Sequence, residues 1–542
     1  MSPEASPATA QTEPPAHPLI QALIASPGAW PHPVCEPIGL VETHISWVLL
    51  TGNYAYKIHK PVNLGFLDFT SLEKRLTDCQ EELRLNRRLS SDLYCDLMAV
   101  VGSDSHPHLI EASALSPPVA SPGSAQGAVR DYALRMHQFP QHALLPAVLQ
   151  AGGVSPAAID ALANDLAHFH QHAAVADPGG PFGTPEAVRQ PVLANFAALE
   201  PRLPTEHRSR LAVLRQWEAE QFHRLSPRMG QRLAQRRVRE CHGDLHLGNM
   251  LMRGGRIRVF DCLEFSPSLR WIDVISDMAF LVMDLEERGQ PQLANRLLNG
   301  WLEANGDYGG LDLWHWYVSY RALVRAKVAA LSGPWRADGS GEAYLAVAER
   351  CLEPGQPALL LLHGLSGSGK SHLSERLAAE LGAIRLRSDV ERKRWFGQWG
   401  LCSEPGDPPP YQGDPYAPAV GEALFGEHLP QLAADLLGAG FVVIVDATFL
   451  KERHRRAMAA VACSAAAPLR ILSCSAPLPL LQQRVAARRQ SGQDPSDADL
   501  AVLERQLLDQ EPLTPWERAR TVELSDAACP LPDLVAQLRR LP

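Results

Sequence analysis

The chain has 542 residues, 46% of them apolar and 20% charged, with a formal net charge of −9. That length carries roughly two to four domains with ample core, and the acidic balance argues against a general binder of nucleic acid or anionic membranes. The ten cysteines include no CxxC pair and read as reduced thiols. No apolar run approaches the ~18 residues needed to span a bilayer, so the chain reads as cytoplasmic.

Residues 1–30, beginning MSPEASPATAQTEPPAHP, have neither a basic start nor an apolar core and read as a disordered tail rather than a signal peptide. A small lobe is expected over about 31–140. Val41–Ser46, Trp47–Leu50 and Tyr54–Ile58 alternate around a turn at Thr51-Gly52-Asn53, which predicts antiparallel strands. Lys57 lies in the last of them. A kinase holds its phosphate-binding lysine on such a strand, tied to an acid on the next helix. That helix is predicted to start near Thr70, where Thr70 and Glu73 have capping-box spacing, and it carries Glu82, the expected partner, with Glu81 beside it. There is no GxGxxG; a loop over phosphate would be Thr43–Ser46. Residues 103–128 read as a loop. Val129–Met136 reads as a strand running into His137-Gln138-Phe139-Pro140, where backbone groups from Met136 to Gln138 stand where a hinge reads adenine.

The larger lobe, about 141–340, opens with a helical period over Pro156–Ala174. His168 and His170 are two apart there and share no helix face, so one packed and one exposed histidine is expected rather than a metal pair. Amphipathic helices follow over 191–237. Next comes CHGDLHLGNMLMRGGRIRVFDCLEF, Cys241–Phe265. Asp244 is followed five residues later by Asn249, then, after a hairpin at Arg253-Gly254-Gly255, by an apolar run ending in Asp261. Phosphoryl transfer to a hydroxyl needs such a set: one carboxylate to take the proton, then an amide and a second carboxylate to hold Mg²⁺. Asp244 is thus the candidate base, and Asn249 and Asp261 are the candidate metal ligands. Asp273 and Asp277, four apart on an otherwise apolar helix, are expected to brace the catalytic loop.

Residues 33–331 resemble the aminoglycoside phosphotransferase family on His242-Gly-Asp244-Leu-His246-Leu-Gly-Asn249, Phe260-Asp261 and Leu166-Ala-His-Phe-His170, with Lys57 and Glu82 more loosely. The resemblance implies an α+β, protein-kinase-like bilobal domain with Asp244 as base and Asn249 and Asp261 on Mg²⁺. It also gives Lys57 to the α/β-phosphates of ATP and the hinge near Met136 to adenine. It does not imply aminoglycosides as substrate.

A linker is expected over 341–356, containing a short helix from Glu342 to Leu352, and a second domain over 357–542. Ala358–His363 reads as a buried strand running into Gly364-Leu-Ser-Gly-Ser-Gly-Lys370-Ser371, a GxxxxGKS loop before an amphipathic helix. Backbone N–H groups of Gly364, Ser366, Gly367, Ser368 and Gly369 are expected to turn inward on phosphates, with Lys370 on the β/γ-phosphates and Ser371 on Mg²⁺. Strands at 383–388, 441–446 and 469–474 follow. Two of them lead into acids that face the crevice of a parallel sheet: Asp389, assigned as acceptor-site base, and Asp446, assigned as Mg²⁺ or water ligand, the two roles being exchangeable. Arg484 and Arg488 precede a Gly/Pro/Asp loop and suit a lid that brings an arginine over the transferring phosphate. This half is similar to the P-loop kinases grouped with gluconate, shikimate and polynucleotide 5′-hydroxyl kinases. The whole order resembles bifunctional aminoglycoside phosphotransferase/ATP-binding proteins.

The expected activity is therefore two-headed: each half uses its own Mg·ATP on a hydroxyl of a small molecule. One alternative keeps a single active kinase, the other half being a regulatory ATPase or a small-molecule-binding module. Another makes the P-loop half a polynucleotide 5′-hydroxyl kinase. Residues 357–542 carry 20 Lys and Arg against 22 Asp and Glu, so no bulk basic field favours nucleic acid there. Oligomeric state is left open.

Overall fold

The computed structural model describes residues 17–65, 67–114, 128–332, 335, 340–353, 355–400, 411–491, 498–525 and 531–540. By contacts the chain divides into two units, residues 1–143 with 259–266, and residues 144–258 with 267–542.

In the first unit, β1 (Gly39–Glu42), β2 (Ser46–Leu50), β3 (Tyr54–His59), β4 (Tyr94–Ser103), β5 (His106–Glu111) and β6 (Val129–His137) form one antiparallel sheet in the order β1-β2-β3-β6-β4-β5. Period-2 alternation puts Leu49, Tyr56, Ile58, Met98 and Val100 into one core. The region read as a loop from residue 103 instead holds β5. Pro107 obscured it, but β5 is an edge strand, where a missing N–H is tolerated. The tail reading also fails past residue 16: Pro18–Ala25 is a helix whose Leu19, Ile20 and Leu23 join the same core. The Leu72–Ser90 helix buries Cys79, Glu82, Leu85 and Asn86. Its N-cap is Ser71, not Thr70, because the Thr70 hydroxyl is turned to Asp68.

The second unit begins with helices, among them Pro156–His172, Pro185–Leu199 and Thr205–Ala234. Two small ladders follow: β7 (Val238–Glu240) pairs with β10 (Trp271–Asp273), and β8 (Met250–Arg253) pairs with β9 (Arg256–Val259) around Gly254 and Gly255, both at positive φ as a tight hairpin turn requires. Val274–Glu287, Pro291–Asn305 and Trp314–Leu331 complete the helical part. The expected linker carries the Ser340–Arg350 helix, whose Tyr344, Leu345, Val347 and Ala348 are buried.

Beyond it, β11 (Ala358–His363), β12 (Ile384–Arg387), β13 (Val442–Asp446), β14 (Leu469–Ser475) and β15 (Thr521–Ser525) make a wholly parallel sheet in the order β12-β13-β11-β14-β15. The central β11 is buried at every residue, as an uninterrupted apolar run dictates. Its flanking by β13 and β14 opens a crevice at the carboxyl ends of the strands. β15 was not legible in the sequence. The chain is thus an α+β part with an antiparallel sheet followed by an α/β part with a parallel one. No described helix is long and apolar enough to cross a membrane.

Candidate active sites

Lys57 projects from β3 to the Leu72–Ser90 helix. Its Nζ donates to Glu82 Oε1 at 2.9 Å and to Asp261 Oδ1 at 3.3 Å. Burial opposes that charge, but Glu82, Asp261 and Glu264 hold the ammonium well above its ordinary value. Glu81 instead forks with Arg84. Asp261 has φ +61°, a left-handed conformation that Asp tolerates better than most residues. Two side chains missed in the sequence secure this turn: Tyr94 Oη accepts the Asp261 N–H at 3.1 Å, and Asn86 Oδ1 accepts the Cys262 N–H at 2.8 Å.

Met136–Gln138, the stretch assigned to read adenine, lies at the carboxyl end of β6. Met136 lies inside the sheet, opposite Ala55 and Tyr94. The His137 and Gln138 amides donate to Leu93 O and Asn53 O. The Thr43–Ser46 loop is closed on itself as well, with the Ile45 and Ser46 amides on Thr43 Oγ1.

In the second unit, Asp244 is half-buried and Asn249 Nδ2 donates to its Oδ2 and its carbonyl, both at 3.0 Å. That bond turns the amide nitrogen to Asp244 and leaves Oδ1 as the side-chain atom able to take a cation. The interior opposes charge on Asp244, but His246, His242 and Arg325 hold its carboxyl well below the usual carboxylate range. Helix Val274–Glu287 carries the loop. Asp277 accepts the His242 and Gly243 amides, both at 3.0 Å, and His170 Nε2 at 3.1 Å. Asp284, two turns on, accepts the Leu247 amide at 2.9 Å and the Tyr344 hydroxyl at 2.6 Å. Asp284 was missed, although its spacing of seven from Asp277 on an apolar helix was readable. Asp273 does not brace the loop; it caps its helix and pairs with the buried Arg232. His170 is packed and His168 exposed.

The P-loop lies at the carboxyl end of β11. Gly364 has φ +131° and a Cβ there would sit 2.2 Å from Cys474 O; Gly367 and Gly369 are also at positive φ. This is a cradle that only glycine permits. Lys370 Nζ donates to Leu365 O at 2.7 Å. Ser366 N donates to Gln506 Oε1, and Arg484 to Gly367 O, so two later helices clasp the loop. Ser371 opens the Lys370–Leu381 helix beside Ser374, whose hydroxyl donates to Asp446 Oδ2 at 3.0 Å. Lys370, Arg387, Arg392 and Arg484 line one cavity of about 300 Å³ with Asp389 and Asp446. Four cations around a backbone cradle suit a polyphosphate, and the Asp446 carboxylate with the Ser371 hydroxyl suits a hard cation such as Mg²⁺. The side chain of Arg488 lies outside the described residues. Arg387 and Arg392 were not assigned from sequence; strand pairing of Arg387 with Asp446 puts the first at the mouth.

A larger cavity, about 520 Å³, lies away from the P-loop, between the Pro291–Asn305 helix and β12. Here a polar stripe at four-residue spacing meets the edge strand. Asn299 Nδ2 donates to Ala383 O at 3.0 Å and Asn299 Oδ1 accepts the Arg385 N–H at 2.7 Å. Asn295 also donates to Ala383 O. Glu303 pairs with Arg385 at 2.6 Å and Arg387 at 3.3 Å, and Arg387 lies 3.8 Å from Asp446.

Two family models match separate stretches of the chain. Residues 108–314 match the Phosphotransferase enzyme family and residues 359–513 match the AAA domain. Over 485 residues the chain is 30% identical to "Uncharacterized protein Rv2004c" of Mycobacterium tuberculosis, covering 87% of this chain and 90% of that protein. Among solved structures, a choline/ethanolamine kinase family protein from Mesorhizobium loti is 13% identical, with 62% of this chain and 94% of that chain covered and a TM-score of 0.30. A putative kinase from Chloroflexus aurantiacus is 20% identical, with 34% and 98% covered and a TM-score of 0.28.

Proposed function

This chain, which joins an aminoglycoside phosphotransferase-like half to a P-loop ATP-binding half, belongs to the family of Rv2004c, and we propose that each half transfers the γ-phosphate of its own Mg·ATP to a hydroxyl of a small molecule. The chain is a phosphotransferase of the kinase class. One observation carries the two-site reading: each half has a cation fixed on a rigid element and a carboxylate able to take a proton. These are Lys57 and Asp244 in the first, Lys370 and Asp389 in the second.

In the first half Asp244, kept ionised by its neighbours and oriented by Asn249, would accept the proton of the acceptor hydroxyl. Lys57 would hold phosphate oxygens, and Asn249 Oδ1 and the Asp261 carboxylate would be the oxygen donors for Mg²⁺. In the second, the glycine cradle and Lys370 would hold the phosphates, Ser371 and Asp446 the ion, Asp389 the acceptor proton, and Arg484 with Arg488 the closing lid. Magnesium, when bound, neutralises charge on the phosphate oxygens. We place the junction between the halves within 341–356.

The regulator reading has one observation of its own, the Glu303–Arg387–Asp446 chain by which a helix of the first half reaches the P-loop mouth. The test is Mg²⁺-dependent ATP turnover by the whole protein, Asp244→Asn and Lys370→Ala, with hydroxyl metabolites and a 5′-hydroxyl oligonucleotide as acceptors. Acceptor-stimulated turnover abolished by one substitution assigns that acceptor to that half. Acceptor-independent turnover lost only in Lys370→Ala overturns the two-kinase reading in favour of a regulatory ATPase.

A further inference from the structure

His59 stands two residues after Lys57 on β3, so both side chains leave the same face of the strand. Asp78 and Glu82 are four apart on the Leu72–Ser90 helix and share its face. The two faces meet. His59 Nε2 lies 3.1 Å from Asp78 Oδ2 and 3.7 Å from Glu82 Oε2. All three atoms are buried, and none makes a hydrogen bond. The His59 side chain is 1% exposed and that of Glu82 is 0%. Three orphaned polar atoms converging in an interior are costly unless something receives them.

The rest of the imidazole is already fixed. Its Nδ1 lies 3.1 Å from the buried Ser46 Oγ, and its ring packs on Phe69 with centroids 4.4 Å apart. A histidine held at one nitrogen presents the other in a set direction, the outer-shell arrangement typical of metal-binding histidines. The second oxygen of Glu82 is engaged separately by Lys57.

We propose that His59 Nε2, Asp78 Oδ2 and Glu82 Oε2 bind a divalent transition-metal ion, with Zn²⁺ the best match. One imidazole and two carboxylate oxygens are donors that zinc takes at about 2.0–2.2 Å. Around a tetrahedral ion such donors stand roughly 3.4 Å apart, and 3.1 and 3.7 Å bracket that spacing. The local charge agrees: Lys57 faces the acids Glu82, Asp261 and Glu264, and Asp78 adds another carboxylate. The ion would lock the Glu82 carboxylate from the side opposite Lys57 and so hold the lysine in place. That consequence rests on Lys57 being the phosphate-binding residue; metal binding itself does not.

A second buried group of metal-ligating types among the described residues, His170, Cys241 and Asp277, is different. There Asp277 bonds His170 and accepts the loop amides, and Cys241 Sγ contacts Ile272 O.

The test is metal content of the full chain by mass spectrometry after equilibration with Zn²⁺ in excess Mg²⁺, then Co²⁺ substitution read by visible absorption. About one equivalent of zinc is expected, lost in both His59→Ala and Asp78→Asn. Ser46→Ala is expected to weaken it about 10–100-fold. The Co²⁺ form of the unaltered chain should show the intense visible bands of a four-coordinate site, which keeps the test decisive if a variant misfolds. Failure to hold either ion, or unchanged stoichiometry in both variants, overturns the site and leaves the cluster as a direct His59–Asp78 contact. Neither readout depends on phosphotransfer, so failure here leaves the roles of Lys57 and Asp244 standing.

Discussion

Asp244 is ionised because His246, His242 and Arg325 outweigh the interior that opposes its charge. Asp244→Asn keeps the shape and removes the base, so phosphotransfer by the first half is expected to fall about 10²–10⁴-fold with little change in melting temperature. Equal loss of activity and stability would mean the residue is structural. His363, at the end of β11, shows the opposite electrostatics. Burial, with Arg455 and Lys370 nearby, pushes its imidazole down to about 4. Its folded-state pKa is therefore below the ordinary value of about 6.5. The unfolded chain takes up a proton between those values and the folded one does not, so stability present above about pH 6.5 is lost as pH falls towards 4. Melting of the chain across that window should show the slope, and His363→Gln should flatten it. An unchanged slope would show that other groups set it.

The Val274–Glu287 helix is a brace because two turns separate Asp277 from Asp284, which puts both carboxylates on the face that meets the catalytic loop. Asp277→Ala leaves the His242 and Gly243 amides and His170 without their acceptor. A cost of about 3–5 kcal/mol is expected for breaking such a buried charged network, read by urea unfolding; less than about 1 kcal/mol would mean water replaces the carboxylate. In the P-loop, Gly364→Ala brings a Cβ against Cys474 O. Nucleotide binding by the second half, measured by titration calorimetry, is expected to fall at least tenfold while acceptor-dependent turnover by the first half persists.

Across the molecule, the Pro291–Asn305 helix closes the open edge of the parallel sheet. Asn299 satisfies one donor and one acceptor of β12 that an edge strand leaves unpaired, and Glu303 holds the arginines behind the P-loop. Glu303→Gln is expected to weaken its pairs with Arg385 and Arg387 and to lower P-loop turnover several-fold, with the effect in kcat and not in the KM for ATP. Unaltered kcat would show that Arg387 keeps its place without the first half.

How much of this was legible follows from the range of each signal. Glycines at fixed offsets, an apolar run ending in an acid, and HxDxxxxN are local patterns whose chemistry depends on neighbours within a few residues, so the P-loop and the Asp244–Asn249 pair could be read directly. Alternation placed β3 and Lys57 for the same reason. The β4–β5 hairpin and β15 were not legible, since an edge strand needs only its partner, and Pro107 masked the period. Only strand order shows that β6 is internal and that the His137 and Gln138 amides are already bonded. Asp284, Asn299, Glu303 and the meeting of His59 with Asp78 and Glu82 join elements far apart in the chain. Sequence determined which family each half resembles; the tertiary structure decided which charges meet, because burial and distance belong to the packed chain and not to any stretch of it.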